Sequence, residues 1–232
     1  DDVESRGLGD VYKRQMLRKA KKQPEKVYDR SRRFGKVGGE MKKLEEMTLT
    51  ELWELFPIIL KDHNVDYEKW YGEEKQQLTE LFADFPIQRI NHIGSTSVEG
   101  LIAKPIVDIL LEFPDGYDVE EASARLKNAG WILMIEDKEK QTLDLNKGYT
   151  SEGFAEKVYH LHVRAIGDWD EFYFRDYLRK YPEVARQYEE LKLSLKEKFE
   201  HNRDAYTDAK SDFVQKYSKK ARQEFGPRYL PK

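Results

Sequence analysis

Two periodicities divide this chain. Between residues 87 and 165 apolar positions alternate with polar ones, or run together over five to eight residues, as in strands. On either side they recur every three or four residues, as in helices. The first half predicts a helix capped by Thr48 or Thr50 and running through Leu52, Leu55, Phe56 and Leu60, with Pro57 bending it or ending it early. A second helix is predicted from Tyr67 to Phe82. Strands follow at Ile87–Ile93 and 105–112, then a helix over Val119–Asn128 closed by Gly130. Trp131–Glu136 and Gln141–Asn146 read as an antiparallel pair joined by a charged turn, and Val158–Ala165 reads as the last strand. Residues 147–154, with Gly148 and Gly153, read as a loop able to serve as a lid. Asp168 is the expected cap of the next helix, and Pro182 suits the first turn of the one after it. Val184, Tyr188, Leu191, Leu195 and Phe199 make one core stripe, and Tyr206, Ala209, Phe213 and Tyr217 make another. The pattern is α+β: about five strands in a mixed, largely antiparallel sheet, flanked by N-terminal helices and a C-terminal helical bundle.

One stretch breaks the pattern. Asp108 sits inside the run Ile106-Val107-Asp108-Ile109-Leu110-Leu111. A carboxylate there is costly to bury without a partner. It is either a satisfied strand carboxylate or part of a metal or phosphate site. Just upstream lie Gly94-Ser95-Thr96-Ser97, four small residues whose backbone N–H groups and hydroxyls can approach an anion. Alternation places Ile106, Asp108, Leu110 and Glu112 on one face of their strand. In the last strand His160, His162 and Arg164 share a face. Such histidines are core residues or a pair aimed at one metal or phosphate. Lys104 is either solvated or set beside a phosphate.

Charge and composition narrow the partners. Residues 1–40 carry a net +5 and the remainder −8, so the body is a poor general binder of nucleic-acid backbone. Residues 1–15 show no period, and 16–40 are basic; 1–40 is expected to be a non-native or disordered extension, with the domain over 41–225 and Met41 or Met47 as its natural start. An RNA contact through the basic arm is the weaker alternative. There is no cysteine, which excludes disulfides, thiolate metal sites and a Cys nucleophile. No apolar run approaches a membrane span. A cytoplasmic protein with no membrane partner is expected.

The run His-Ile-Gly-Ser-Thr-Ser-Val-Glu-Gly-Leu-Ile-Ala-Lys-Pro-Ile-Val-Asp-Ile-Leu at 92–110, with Tyr-His-Leu-His-Val-Arg at 159–164 and Phe-Arg-Asp-Tyr-Leu-Arg-Lys-Tyr-Pro-Glu-Val-Ala at 174–185, resembles the GrpB family over roughly 41–220. Glu99 stands where that family more often has proline. The resemblance implies the nucleotidyltransferase fold, in which Gly-Ser follows a first strand and a pair of carboxylates sits on the second. Gly94-Ser95 and Asp108 fit that pattern, while Leu110 occupies the place of the second carboxylate. The expected activity is transfer from a nucleotide to a small-molecule acceptor with a divalent metal, magnesium or manganese. Asp108, His160 and His162 would be catalytic, and Asp108, Glu112 and His162 would hold the metal. Gly94, Ser95, Thr96, Ser97, Lys104, Arg164 and Arg175 would bind the nucleotide. The alternative is a non-catalytic module for a nucleotide or phosphorylated metabolite, a coenzyme A precursor being the candidate the resemblance suggests.

Overall fold

A computed structural model of the chain describes residues 36–37 and 40–231; the rest of the expected extension, 1–35 and 38–39, lies outside the described residues. Five strands form one sheet: β1 (Arg89–Ile93), β2 (Val107–Phe113), β3 (Ile132–Asp137), β4 (Thr142–Thr150) and β5 (Gly153–Ala165). Their spatial order is β1-β2-β5-β4-β3. Only the central β2–β5 pair is parallel. The sheet is therefore mixed and largely antiparallel, in agreement with the α+β expectation.

The helices are α1 (Leu49–Leu55), α2 (Asp66–Leu81), α3 (Val119–Asn128), α4 (Asp170–Lys180), α5 (Pro182–Phe199), α6 (Arg203–Asp208) and α7 (Ser211–Phe225). Thr48 caps α1 with a capping box to Glu51, and α1 ends before Pro57. Helices α2 and α3 cover one face of the sheet. There Leu78, Phe82, Ala122 and Leu126 meet Val107, Ile109, Leu111, Leu161 and Val163. Each such side chain removed from water contributes about 1.5–3 kcal/mol. The C-terminal helices close over the opposite face, where Phe172 of α4 packs on Ile93 and Leu110. Among the described residues no helix is long and apolar enough to cross a membrane.

Two expectations need correction. The 147–154 lid is instead a hairpin: β4 runs to Thr150, β5 starts at Gly153, and these two residues are paired. Gly148 is a bulge rather than a loop residue. Its φ is +88°, and a Cβ there would meet the Lys157 carbonyl oxygen at 2.3 Å, so only glycine lets the two strands approach this closely. Asp168 does not cap α4, whose first residue follows Trp169. Its carboxylate accepts from Tyr173 Oη at 2.7 Å and pairs with Arg222.

Candidate functional site

The polar face of the sheet is laid out in rows by strand register. Asp108 pairs with His160, and His160 with Asn146. One step along, Leu110 pairs with His162, and His162 with Asp144. A further step pairs Glu112 with Arg164. The turn after β1 folds over the first row. Gly94 has φ 68° and ψ −172°, a conformation confined to glycine. A Cβ at this position would lie 2.3 Å from Asp108 Oδ2. The glycine thus permits the small-residue turn to rest directly on the carboxylate.

A cleft of about 110 Å³ lies above the first two rows. Gly94, Ser95, Thr96, Lys104, Asp108, His160 and His162, all expected at the site, line it. Helix α5 supplies its other wall through Lys192, α6 through Arg203 and Tyr206, and the turn between α6 and α7 through Lys210. Lys192 is 3% exposed and donates to Ser95 Oγ at 3.3 Å. The cleft carries Lys104, Lys192, Arg203 and Lys210 against the carboxylates Asp108 and Asp144, so its balance is cationic. The Tyr206 hydroxyl is fully buried at this wall with no hydrogen-bond partner among the described residues. A buried orphan hydroxyl beside a cleft is a ready contact for a ligand.

The two imidazoles differ. Arg203 Nη2 donates to the Tyr149 hydroxyl at 3.2 Å, so Tyr149 is free to donate its own proton to His160 Nε2 at 2.8 Å. His160 then carries its proton on Nδ1, which donates to Asp108 Oδ1 at 3.1 Å. Both nitrogens are used. Burial holds the His160 imidazolium form down to about 4, outweighing the nearby Asp108 charge, and the ring is neutral at pH 7. Burial pushes the Asp108 carboxyl up, but the His160 hydrogen bond and the positive charges around it hold the carboxyl below its usual range.

His162 donates through Nδ1 to Asp144 Oδ1 at 2.9 Å. Arg164 Nη2 donates to the same oxygen at 2.6 Å. Burial disfavours the charged ring, yet the Asp144 hydrogen bond and charge leave the His162 pKa raised above its ordinary value. The Asp144 carboxyl, pushed up by burial and pulled down more strongly by Arg164 and His162, stands at about 2.

Four expected site residues lie outside the cleft. Glu112, 0% exposed, is bonded to Arg89 by two contacts of 2.7 and 2.6 Å and also accepts from Gly167 N. An ion pair this well formed has no oxygen to spare for a metal, and the set Asp108, Glu112 and His162 is not brought together. Among the described residues no three His, Asp or Glu side chains converge as a metal-ligand cluster. Arg164, 1% exposed, is held behind Asp144 by the carbonyls of Leu143 and Val163. Arg175 is a buried strut from α4 to the His92 carbonyl, Asp176 and Tyr229. Ser97 donates to the Gly94 carbonyl at 2.6 Å and faces a separate groove of about 800 Å³, which Glu68, Arg179 and Arg186 also line. Thr96 borders both spaces.

Asp144, Asn146, Tyr149 and the cations of α5 and α6 were absent from the expected site. Asp144 carries the same signal as Asp108, a carboxylate between apolar neighbours in Leu143-Asp144-Leu145. Lys192 stands on the buried stripe of α5 between Tyr188 and Leu195, a lysine where the helical period calls for an apolar residue.

The family profile described as GrpB protein matches residues 57–220. Glutamate-rich protein GrpB of Alkalihalophilus pseudofirmus is 34% identical over 165 residues, which cover 68% of this chain and 91% of that protein. A UPF0157 protein of Pseudomonas aeruginosa is 39% identical over 126 residues, 54% of this chain and 52% of its own, so the chain spans about half the length of that relative. The crystal structure of conserved protein GrpB from Enterococcus faecalis superposes with a TM-score of 0.62 at 26% identity, covering 72% of this chain and 99% of the other. These names state no activity. With the match running over residues 57–220, through the sheet and its helical cover, this chain belongs to the GrpB family.

Proposed function

We propose that the Asp108 cleft binds the phosphates of a nucleotide or another phosphorylated small molecule, and that the domain is a divergent member of the nucleotidyltransferase fold. The observation that carries this is the cationic wall of Lys104, Lys192, Arg203 and Lys210 facing the Gly94-Ser95 turn. Lysine and arginine at close quarters with exposed backbone and hydroxyl groups suit phosphate oxygens. At about 110 Å³ the cleft is smaller than the ~300–1,000 Å³ typical of pockets that enclose a whole small molecule. It has room for phosphate, with the organic part of the ligand outside it.

A transfer reaction is the second element of the reading. It is favoured by Asp108 lying against the Gly94-Ser95 turn, the arrangement the family resemblance implies. Magnesium is commonly held by only one or two protein carboxylates, with substrate phosphates and water completing its shell. Asp108 is the residue that would hold such an ion, and the ion would neutralise charge on the leaving phosphate.

Calorimetric titration of the full chain with pyrophosphate and with a nucleoside triphosphate tests the binding. Saturable binding that weakens with salt is expected, and Lys210→Ala should weaken it about tenfold, roughly 1.4 kcal/mol. Lys219→Ala, on the exposed side of α7, serves as the control. Heat absent from both titrations would remove the proposal. Release of pyrophosphate from the nucleotide, lost in Asp108→Ala, separates an enzyme from a non-catalytic module that binds a compound such as a coenzyme A precursor.

A further inference from the structure

We propose that His162 is the proton-transferring group of this cleft, with Asp144 and Arg164 as its positioning residues. The inference rests on the transfer reading above. A general base needs one nitrogen fixed by an orienting partner and the other open to substrate. His162 meets this description. Its Nδ1–H is held by Asp144 Oδ1 at 2.9 Å, which places the lone pair on Nε2. Among the described residues no hydrogen bond engages Nε2, and the ring lines the cleft.

The support behind the ring is rigid. Arg164 shares the same Asp144 oxygen at 2.6 Å and is itself fixed by two backbone carbonyls at 2.9 and 2.8 Å. Register adds a second reason. The strand neighbour of His162 on its other side is Leu110, an apolar residue that offers Nε2 no competing acceptor or donor. An apolar residue at 110 therefore leaves this imidazole available. His160 cannot take the role, since Asp108 and Tyr149 occupy both of its nitrogens. Burial disfavours the charged ring, yet the Asp144 hydrogen bond and charge favour the imidazolium that forms when Nε2 takes up a proton.

The step balances without an oxidant or reductant. The acceptor is a hydroxyl compound or water, and the donor is a nucleoside triphosphate. As the acceptor oxygen forms its bond to the α-phosphorus, its proton passes to His162 Nε2. The bond from that phosphorus to the bridging oxygen breaks, and pyrophosphate leaves with the electron pair. The proton on Nε2 is then lost to solvent.

Imidazole-labelled full-length chain, titrated by NMR with and without pyrophosphate, tests the assignment. Without ligand, the His162 midpoint is expected above that of a free imidazole, and Asp144→Asn should lower it to about 6.5 or below. Pyrophosphate bound in the same cleft should raise the wild-type His162 midpoint by about one unit, because its negative charge favours the imidazolium. In the release assay, Asp144→Asn should cut the rate roughly 10²–10⁴-fold and displace the pH profile, while pyrophosphate still binds. Pyrophosphate binding that leaves the His162 midpoint unmoved overturns the proton role alone. An Asp144→Asn profile identical to wild type does the same. Failure of wild type to bind pyrophosphate removes the cleft reading and this role together.

Discussion

The two carboxylate–imidazole pairs on the sheet make a natural experiment. Asp108–His160 and Asp144–His162 stand in adjacent rows, their side chains are similarly exposed, and each is joined through Nδ1. Their imidazoles nonetheless move in opposite directions, His160 down to about 4 and His162 up. Burial disfavours the charged form of both rings, and their surroundings then differ at the second nitrogen and in the nearby charges. For His160 the second nitrogen accepts from Tyr149, and Lys104 and Arg203 add positive charge nearby. For His162 the second nitrogen opens to the cleft, and the positive charge of Arg164 is spent largely on Asp144. A carboxylate beside a buried histidine does not by itself make an imidazolium. What bonds the other nitrogen, and which charges surround it, decide the outcome.

The largest effect is expected in the third row, where the same strand face holds a pair with no opening. Arg89→Ala would leave Glu112, 0% exposed, without its bidentate partner. Removing one member of a buried ion pair typically costs about 3–5 kcal/mol. A drop of this order in urea-unfolding free energy is expected, while pyrophosphate affinity measured on the folded fraction stays at its wild-type value. An unfolding free energy within 1 kcal/mol of wild type, on the scale of an exposed pair, would show that the third row is not the structural anchor its geometry indicates.

That row also shows how far sequence could reach. The strands follow from alternation, as do the shared face of Asp108 and Glu112 on one strand and that of His160, His162 and Arg164 on another; that the two faces lie on one side of the sheet comes from the register. Which of these residues share a cleft does not. The register between strands distant in the chain separates the rows, and the C-terminal helices decide which rows are roofed. Glu112 was expected beside a metal because it shares a face with Asp108; Arg89, on the neighbouring strand, takes both of its oxygens. Arg175 was expected at the nucleotide; its guanidinium is instead tied to the His92 carbonyl and to Tyr229, each more than fifty residues away in the chain. Gly148 and Gly153 read as a loop because glycine in a bulge and glycine in a turn look alike in sequence. Asp144 was legible by the argument used for Asp108 and was missed. Lys192 was equally legible, as a charged residue within an apolar stripe.

A smaller effect separates the two histidines by pH. The His160 pKa is lower folded than unfolded, so between about pH 6.5 and 4 the unfolded chain binds more protons and stability falls as pH falls. The contribution is on the order of 3 kcal/mol at most across that window. The His162 pKa is higher folded than unfolded, so its contribution is complete below the ordinary imidazole value and is lost as pH rises through the folded value. Glu112, pushed up by burial, slopes against His160 at the acid end, so the quantity to read is the difference between wild type and a variant. Urea midpoints from pH 4 to 8 should show a shallower acid slope in His160→Gln and a shallower fall above the ordinary imidazole value, about 6.5, in His162→Gln. Equal slopes in wild type and His160→Gln would contradict the neutral assignment.

The finest test isolates the second nitrogen itself. Tyr149→Phe keeps the ring that packs between Phe56 and Phe154 and removes only the hydroxyl bonded to His160 Nε2 and Arg203. The stability cost should be about 1 kcal/mol, one hydrogen bond's net contribution. The informative change is in the imidazole. A hydrogen bond donated to Nε2 stabilises only the neutral ring, so its loss should raise the His160 midpoint from about 4 toward, but not to, the ordinary value, since burial and the nearby cations persist. The His162 midpoint, with Asp144 intact, should stay where it is. If the His160 midpoint instead holds or falls, Tyr149 is not the donor to Nε2, and the contrast between the two imidazoles has to be carried by burial and charge alone.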